Sequence, residues 1–328
     1  MTAPPPPPPP QDLQLLSIVT GCYNEQDNVQ SLYDRILAAL QPLESRYRFE
    51  LIFIDNQSAD ATVERITTLC AQDRRVKLIV NARNFGHVRS PFHALLQASG
   101  AAVICLASDL EDPPELIPRF IEAWERGACV VAGVYEGEAQ KGLLGLCRKA
   151  YYRALAALAE AQPIAAFTGF GLYDRRVVEL LRSTAGPYPY VRGLIAEFGL
   201  PLETIAFAKA RRQSGITKNN ILTLLDLSIL GLTSMSRAPI RLATLLGAGL
   251  SALGFLIALG YLVAKLLFWY EFPLGQAPLL IGIFLFGSVQ ILIAGLIGEY
   301  VASLHLRAQN FPHVVELRRV NFDSSAPR

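Results

Sequence analysis

Residues 49–60 read FELIFIDNQSAD, in which an apolar, β-rich run at 49–55 changes abruptly to polar residues. Three more runs of this kind alternate with stretches that have the apolar spacing of helices. The runs lie at 15–20, 76–80 and 103–107, and the helical stretches lie at 28–40, 61–70 and 91–98. Strands that alternate with helices predict an α/β fold with a mainly parallel sheet, covered by helices on both faces.

Polar residues follow each of the four runs, at the points where the strands end. In open parallel sheets ligands bind outside the carboxyl ends of the strands. Carboxylates, amides and an arginine at these ends are the groups that a nucleotide diphosphate with a divalent cation requires. In chain order the residues are Tyr23, Asn24, Glu25, Asp55, Asn56, Ser58, Asp60, Asn81, Arg83, Gly86, Ser108, Asp109, Glu111 and Asp112.

Charge and cysteine content exclude other classes of function. The net charge is only +2, which argues against a global surface for nucleic acid, so no nucleic-acid partner is expected. The cysteines are isolated and lack metal-ligand spacing, which indicates reduced thiols with packing roles in a cytosolic domain. They are Cys22, Cys70, Cys105, Cys129 and Cys147.

Apolar residues concentrate near the C-terminus and account for much of the 52% hydrophobic content. Between 242 and 297 the only charged side chains are those of Lys265 and Glu271. The apolar runs at 242–268 and 277–297 each reach the roughly 20 residues that cross a bilayer, which predicts a hairpin of two transmembrane helices. A pair of buried helices in a soluble core is the alternative.

Basic residues flank the predicted hairpin, whereas its connecting loop has none. Six lie between Lys209 and Arg241, and Arg307, Arg318 and Arg319 follow the second run. The positive-inside bias therefore places the α/β domain and both termini in the cytoplasm.

The remaining segments complete the division of the chain. Residues 4–10 are all proline, which predicts a disordered leader rather than a signal peptide. Residues 220–235 are interpreted as a helix along the membrane surface or as an amphipathic helix packed on the α/β domain. The predicted parts are a leader at 1–12, a cytoplasmic domain at 13–215, an interfacial region at 216–240, two transmembrane helices at 241–302 and a cytoplasmic tail at 303–328.

These motifs, together with RRQSGITKN at 211–219, resemble glycosyltransferase family 2 over nearly the whole chain after the leader. Within that family they resemble the polyprenyl-phosphate glycosyltransferases, which include dolichyl-phosphate mannose synthase and the bactoprenol glucosyltransferases. The resemblance implies a GT-A-type nucleotide-sugar-binding domain in a multi-pass protein of the bacterial cytoplasmic membrane. The implied reaction is inverting transfer of a hexose from UDP- or GDP-hexose to polyprenyl phosphate, such as undecaprenyl phosphate. A homo-oligomer, such as a tetramer, is also implied.

The resemblance assigns roles to the strand-end residues. Asp109 becomes a catalytic residue and the ligand of Mg²⁺ or Mn²⁺, and Arg83 with Gly86 borders the nucleoside. The predicted nucleotide-sugar site comprises Tyr23, Asn24, Glu25, Asp55, Ser58, Arg83, Gly86, Ser108 and Asp109. Structural roles stay open for the other carboxylates, because Asp60 can cap the next helix and Glu111 with Asp112 can begin one.

Two positions depart from the pattern of many relatives. Ala107 stands where they carry a first aspartate, which predicts weaker binding of free metal and leaves a metal-independent enzyme open. Gly169 stands where they often carry an aspartate proposed as the catalytic base. A lipid phosphate is already anionic near neutral pH, so the missing base favours a phosphate acceptor over a hydroxyl.

A phosphate acceptor requires cations near the membrane surface, which hold it in line and offset its repulsion from the donor. The candidates are Lys141, Arg148, Arg192, Arg211, Arg212 and Lys218. By resemblance Arg148 belongs to an acceptor loop and Arg212 to an active-site lid, and both are predicted to be catalytic. Binding of anionic lipid headgroups is the alternative role for each cation.

Two other functions compete with the implied transfer. The first is a non-catalytic membrane protein that binds a nucleotide-sugar, which the changes at Ala107 and Gly169 keep open. The second is a transferase that acts on a lipid or polysaccharide hydroxyl, which requires a base that the sequence does not reveal.

Overall fold

The structure is a computed structural model that describes residues 13–136, 167–184, 191–208, 276–308 and 311–322. It also describes single positions at 164, 186 and 189 and scattered positions between 245 and 267. The predicted leader, the stretch at 220–235 and most of the predicted acceptor cations lie outside the described residues. Those cations are Lys141, Arg148, Arg211, Arg212 and Lys218.

The described residues form an eight-stranded sheet with the order β7-β5-β6-β4-β1-β2-β3-β8. Its strands are β1 (Gln14–Cys22), β2 (Tyr47–Asp55), β3 (Val76–Asn81), β4 (Ala102–Ala107), β5 (Val130–Tyr135), β6 (Phe167–Asp174), β7 (Leu202–Phe207) and β8 (Glu316–Val320). The four adjacent strands β4, β1, β2 and β3 are mutually parallel, whereas β6 and β8 join them in antiparallel orientation. The predicted mainly parallel sheet is confirmed.

The register of the parallel strands brings their carboxyl ends to one level. Cys22 in β1 lies opposite Asp55 in β2, and Gly21 lies opposite Ala107 at the end of β4. Asp55 in turn pairs with Val80, next to the last residue of β3. Because neighbouring strands are about 4.8 Å apart, the polar segments after these strands share one edge of the sheet.

Helices cover both faces of the sheet. They are α1 (Val29–Leu40), α2 (Thr62–Gln72), α3 (Gly86–Gln97), α4 (Ile117–Glu125), α5 (Arg175–Thr184), α6 (Val191–Phe198) and α7 (Gln276–Ala308). Strand β2 is buried on both sides, since Phe53 packs in a cluster with residues of α1, α2 and α4, whereas Ile54 packs with residues of α3, α5 and α6. This alternation follows from the two-residue period of a strand.

Helix α3 begins at Gly86, five positions before the start at 91 that the sequence suggested. A proline is favoured in the first turn of a helix and disfavoured in its interior. Pro91 nevertheless lies inside the helix and packs against the end of β1. A Cβ atom at Gly21 would lie 2.7 Å from Pro91 Cγ, so glycine is required at this close approach.

The two apolar runs near the C-terminus are helical wherever the structure describes them. Helix α7 covers the second run from Gln276 to Ala308. Among the positions that the structure describes, no helix is both long and apolar enough to cross a membrane. The membrane hairpin stays a prediction.

The C-terminal segment corrects the predicted division of the chain. Residues 316–320, assigned to a cytoplasmic tail, form β8 and pair antiparallel with β3, with Val320 opposite Leu78. The predicted domain boundaries of 13 and 215 therefore leave out β8, which is a strand of the domain's own sheet. Sequence patterns did not reveal β8 because Glu316, Arg318 and Arg319 make it polar, as is common in strands at the edge of a sheet.

Glu50 forms a buried ion pair within the sheet, and its loss is expected to destabilise the fold. Its carboxylate lies 2.6 Å from Lys77 Nζ and accepts hydrogen bonds from Ser17 Oγ at 2.5 Å and from the Ser99 N–H at 2.7 Å. The Lys77 side chain is 20% exposed, so removing the Glu50 charge leaves a largely buried cation without its counter-charge. We expect Glu50→Gln to lower the free energy of unfolding by about 3 kcal/mol, measured by urea denaturation.

Glu203→Gln is the matched control, because Glu203 pairs with Arg126 on the surface, where the two side chains are 40% and 59% exposed. An exposed pair contributes about 0–1 kcal/mol, so the urea midpoint of this variant should stay near that of the unmodified protein. Equal losses in the two variants would contradict the importance assigned to Glu50.

The attachment of β8 predicts an acid-sensitive contribution to stability. Burial alone would raise the pKa of Glu316, but hydrogen bonds with His93 and Arg319 outweigh it and lower the pKa from 4.5 to about 2. A carboxyl whose pKa is lower in the folded state stabilises the fold above its unfolded pKa. That contribution is lost as the pH falls from about 4.5 towards about 2.

We expect Glu316→Gln to be less stable than the unmodified protein at pH 6 and to show a smaller further loss between pH 4.5 and 2. Urea midpoints at several pH values measure this difference. Parallel pH profiles for the two proteins would show that Glu316 does not contribute through its ionised form.

Candidate active site

The loops after β1 and β2 are joined by reciprocal hydrogen bonds. The Asn24 N–H donates to Ser58 Oγ, and the Ala59 N–H donates to Asn24 Oδ1, both at 2.8 Å. Asn24 and Gln57 have φ angles of 55° and 60°, a region that residues other than glycine seldom adopt. Such backbone strain is typical of functional sites and is maintained here by the surrounding hydrogen bonds.

Asp55 is fully buried at the end of β2. Its two carboxylate oxygens accept hydrogen bonds from Ser58, one from the hydroxyl at 2.5 Å and one from the backbone N–H at 2.8 Å. Burial raises the pKa of Asp55, although the hydrogen bonds from Ser58 oppose that rise. Both predicted site residues therefore shape the loop that bears them, and their direct contact with a nucleoside stays a prediction.

The Asp60 carboxylate connects the start of α2 to the β1 loop. It accepts hydrogen bonds from the Thr62 N–H at 3.0 Å and from the Gln26 N–H at 3.3 Å. Burial raises the pKa of Asp60, but these hydrogen bonds outweigh it and lower the pKa below its ordinary value. These contacts correspond to the structural role that the sequence left open beside the ligand role.

Asn56 links the ends of β2 and β3 to the start of α3. Its Oδ1 atom accepts hydrogen bonds from Asn81 Nδ2 at 3.0 Å and from the Phe85 N–H at 3.2 Å. Its Nδ2 atom donates to the Gly86 carbonyl at 3.2 Å. The predicted site omitted Asn56 and Asn81, although the sequence signal was present as two amides directly after neighbouring buried strands.

Arg83 and Gly86 lie in the loop between β3 and α3. The exposed Arg83 guanidinium stacks over the Phe85 ring, 4.1 Å from its centroid. The Gly86 N–H donates to Asn84 Oδ1 at 2.8 Å, and Gly86 has a φ angle of +87°, which favours glycine. This loop therefore presents a cation at the carboxyl edge of the sheet.

The segment after β4 is closed by Asp112, for which the sequence left a structural role at a helix start open. Asp112 is 6% exposed, and its Oδ2 atom accepts a hydrogen bond from the Ala107 N–H at 2.9 Å. A short 3₁₀ helix at Pro114–Leu116 leads into α4, which begins at Ile117, so Asp112 lies just ahead of this helical segment. Within the same segment Ser108 Oγ donates to the Gly21 carbonyl at 2.9 Å, which fixes the end of β4 to β1.

Asp109 is the predicted metal ligand and lies half-buried in this segment. Its Oδ1 atom accepts a hydrogen bond from the Glu111 N–H at 3.2 Å. The described part of the chain contains no cluster of three side chains that can hold a metal ion. A single carboxylate fits the chemistry of Mg²⁺, which keeps several waters and takes further ligands from substrate phosphates.

Gly169 adopts a φ angle of +105° near the start of β6. An L-residue rarely adopts this angle, so an aspartate at this position would be strained. The Gly169 carbonyl accepts a hydrogen bond from Tyr173 Oη at 2.8 Å, which fixes the peptide orientation. A carboxylate side chain at this position would therefore require a strained backbone or a different peptide orientation.

Arg192 is the one predicted acceptor cation among the described residues, and it lies exposed in α6. Desolvation by neighbouring groups lowers the pKa of His87 although the residue itself is exposed, and the charge of Arg192 lowers this pKa further. Arg192 therefore lies close enough to His87 to act on it electrostatically at the start of α3.

The structure brings the predicted donor residues together at the carboxyl edge of β1, β2, β3 and β4. The α/β order and the residues at these strand ends match a known family. Residues 17–181 match the profile described as glycosyl transferase family 2. The chain belongs to this family. It is accordingly a glycosyltransferase with a GT-A-like α/β domain, as the sequence predicted, rather than the non-catalytic alternative.

Relatives within the family match over almost their full length. An uncharacterized glycosyltransferase of Bacillus subtilis is 32% identical over 298 residues, covering 90% of this chain and 91% of the relative. A protein of Shigella phage SfII named bactoprenol glucosyl transferase is 30% identical over 301 residues, covering 92% of this chain and 96% of the relative.

Solved structures with a similar chain path are more distant in sequence. Mannosyl-3-phosphoglycerate synthase from Rubrobacter xylanophilus is 17% identical with a TM-score of 0.49, covering 72% of this chain and 75% of that protein. A mannosyltransferase from Pyrobaculum calidifontis, solved with GDP-Man and Mn²⁺, is 15% identical with a TM-score of 0.44. The match covers 90% of this chain and 89% of that protein.

Asn56→Asp tests the amide that links the strand ends. The introduced carboxylate would face the Gly86 carbonyl, so we expect the free energy of unfolding at pH 8 to fall by about 1–3 kcal/mol. The folded protein raises the pKa of such a buried carboxyl, and its protonated form can again donate to the carbonyl. The loss relative to the unmodified protein should therefore be smaller at pH 5, as measured by urea midpoints.

Asn84→Asp is the control, since Asn84 is exposed and contributes an oxygen acceptor to the Gly86 N–H. That acceptor survives the substitution, so little change is expected at either pH. A deficit of equal size at pH 8 and pH 5 for Asn56→Asp would mean that the Gly86 carbonyl is not the partner that matters.

Proposed function

We propose that this glycosyltransferase transfers a hexose, with inversion, from a UDP- or GDP-hexose to polyprenyl phosphate, such as undecaprenyl phosphate, at the cytoplasmic membrane face. The observation that carries the proposal is the match, over 92% of this chain, to a protein named bactoprenol glucosyl transferase. A match of this extent includes the C-terminal apolar runs as well as the α/β domain.

The donor site of the proposal is the carboxyl edge of the parallel strands. The joined β1 and β2 loops, with Tyr23, Asn24, Glu25, Asp55 and Ser58, form the side assigned to the nucleoside. Arg83 contributes a cation from the neighbouring loop, and the Arg83 guanidinium suits a phosphate or the face of a base. Ser108 and Asp109 complete the site from the end of β4.

Asp109 is proposed to hold Mg²⁺ or Mn²⁺ with oxygens of the donor diphosphate. The cation, when bound, neutralises charge that develops on the leaving nucleoside diphosphate. Ala107 contributes no carboxylate, so affinity for free metal is expected to be low and to rise when the nucleotide is present.

The acceptor is proposed to be a phosphate because of Gly169. A hydroxyl acceptor must lose its proton in the transition state, and a base positioned nearby assists that transfer. An acceptor phosphate brings an anionic oxygen that requires no such base. Gly169, with its φ angle of +105°, contributes no carboxylate and would accommodate one only with strain.

In the proposed reaction an oxygen of the lipid phosphate attacks the anomeric carbon from the face opposite the nucleoside diphosphate. The new carbon–oxygen bond forms as the bond from the anomeric carbon to the diphosphate oxygen breaks, and that electron pair leaves with the nucleoside diphosphate. Cations offset the repulsion between the two anions. The proposed cations are Lys141, Arg148, Arg192, Arg211, Arg212 and Lys218, with Arg148 and Arg212 in catalytic roles.

Association with the bacterial cytoplasmic membrane is part of the proposal, with a two-helix hairpin and both termini inside. Large aliphatic side chains are exposed along the described C-terminal helices, including Leu267 at 71% and Ile291 at 75%. An extended apolar surface of this kind is typical of contact with lipid or with other protein chains. It suits a homo-oligomer in the membrane equally well.

Transfer of radiolabel tests the function directly. Purified protein incubated with radiolabelled UDP- or GDP-hexoses, Mg²⁺ and polyprenyl phosphate should form a labelled product that partitions into organic solvent. Asp109→Asn should lower the rate at least about 100-fold, because it removes the carboxylate that holds the cation at the leaving group.

Asp34→Asn is the matched control, because Asp34 is exposed on α1 and contacts Gln30 on the same helix. It should retain full activity. Transfer of label only to an acceptor that bears a hydroxyl would favour the competing transferase. If none of the common donors gives a labelled product, the proposal is wrong.

A further inference from the structure

One face of α3 contacts a segment near the C-terminus of the described residues. Residues 311–320, named here the C-terminal strap, include β8 and begin shortly after α7. Three strap contacts come from α3 residues spaced four apart, namely Arg89, His93 and Gln97. Residues at this spacing lie on one face of a helix, so α3 is held by the strap along its length.

Arg89 makes the first of these contacts and lies nearest the donor site. It is 9% exposed, and its guanidinium donates to the His313 carbonyl from Nε and to the Pro312 carbonyl from Nη2, both at 2.8 Å. Two charge-assisted bonds from one planar group fix its orientation more strictly than a single contact would.

The Phe85 ring connects the Arg89 guanidinium to Arg83 in the proposed donor site. Arg89 Cζ lies 5.2 Å from the centroid of the Phe85 ring, and Arg83 Cζ lies 4.1 Å from it. Cations within about 6 Å of a ring centroid interact with the π system. The strap carbonyls, Arg89, Phe85 and Arg83 therefore form one continuous chain of contacts.

The strap also holds the other end of the same loop. The Ala82 N–H donates to the Val315 carbonyl at 2.8 Å, immediately after β3. On the opposite side, the Phe85 N–H donates to Asn56 Oδ1 at 3.2 Å. Arg83 thus projects from a short loop whose backbone is held by hydrogen bonds on both sides. The Phe85 ring, over which Arg83 stacks, is in turn packed against Arg89.

We propose that Arg89 is a positioning residue of the donor site, where it acts through Phe85 to hold Arg83 in place for the nucleotide diphosphate. The inference rests on the proposed function, since it takes Arg83 to be a donor ligand. It adds a requirement for Pro312 and His313, because their carbonyls hold Arg89. Arg89 itself reaches the substrate only through its neighbours.

A double-mutant cycle tests the proposal with the full-length protein. Kd values for UDP and GDP are measured by calorimetry for the unmodified protein, Arg83→Met, Arg89→Met and the double variant. Loss of one charge-assisted contact to phosphate corresponds to about a tenfold weaker Kd, expected for Arg83→Met. Arg89→Met should weaken Kd by a similar factor, and the double variant should bind no more weakly than Arg83→Met.

His93→Gln separates positioning from simple attachment of the strap. His93 contacts Glu316 one helical turn further along α3, with 2.6 Å between Nε2 and Oε1. We expect this variant to lose thermal stability, as Arg89→Met does, yet to keep the unmodified Kd. Arg89→Lys retains the charge but not the planar fork, and it should recover part of the affinity lost in Arg89→Met.

The possible failures are distinguishable. An unmodified protein that binds neither nucleotide would overturn the proposed function and this inference together. Nucleotide binding that is intact in Arg89→Met, or losses that multiply in the double variant, would overturn the inference alone. A Kd for His93→Gln as weak as that of Arg89→Met would show that strap attachment as such controls affinity, which contradicts a specific role for Arg89.

Discussion

The parallel register of β1 with its two neighbours is the constraint on which the rest of the site depends. Cys22 opposite Asp55 and Gly21 opposite Ala107 bring three strand ends to one level, so short loops are enough to build a shared edge. Each loop is then tied to the next one by a buried polar group. Asn56 joins β2 to the β3 loop, and Ser108 joins β4 to β1.

Chemical departures at Ala107 and Gly169 affect opposite ends of the proposed reaction. In the proposed reaction Ala107 would lie near the leaving diphosphate and Gly169 near the acceptor, and neither position contributes a carboxylate. Both changes reduce negative charge where two anionic substrates would meet. The proposed site relies on Asp109 and on cations, which would suit a reaction between two phosphates better than one that must deprotonate a hydroxyl.

Much of the fold could be predicted from local sequence, and the missed parts depend on distant contacts. The buried run of β2 is apolar on both faces, so its sequence identifies it as a central strand. Strand β8 exists because β3 offers an open edge, and its polar sequence does not reveal this. For the site, positions after each strand predicted the residues of the proposed donor site, but the fixed orientation of Asn56 depends on Phe85, Gly86 and Asn81 together.

The pairing of β8 with β3 has a consequence for how the protein is made. Arg89 and His313 are 224 residues apart in sequence, so the contact closes a long loop and forms only after residue 313 has left the ribosome. Until then β3 is an open edge that can pair with strands of other chains. A variant that lacks residues 311–320 would keep this edge exposed permanently, so loss of the strap would favour aggregation.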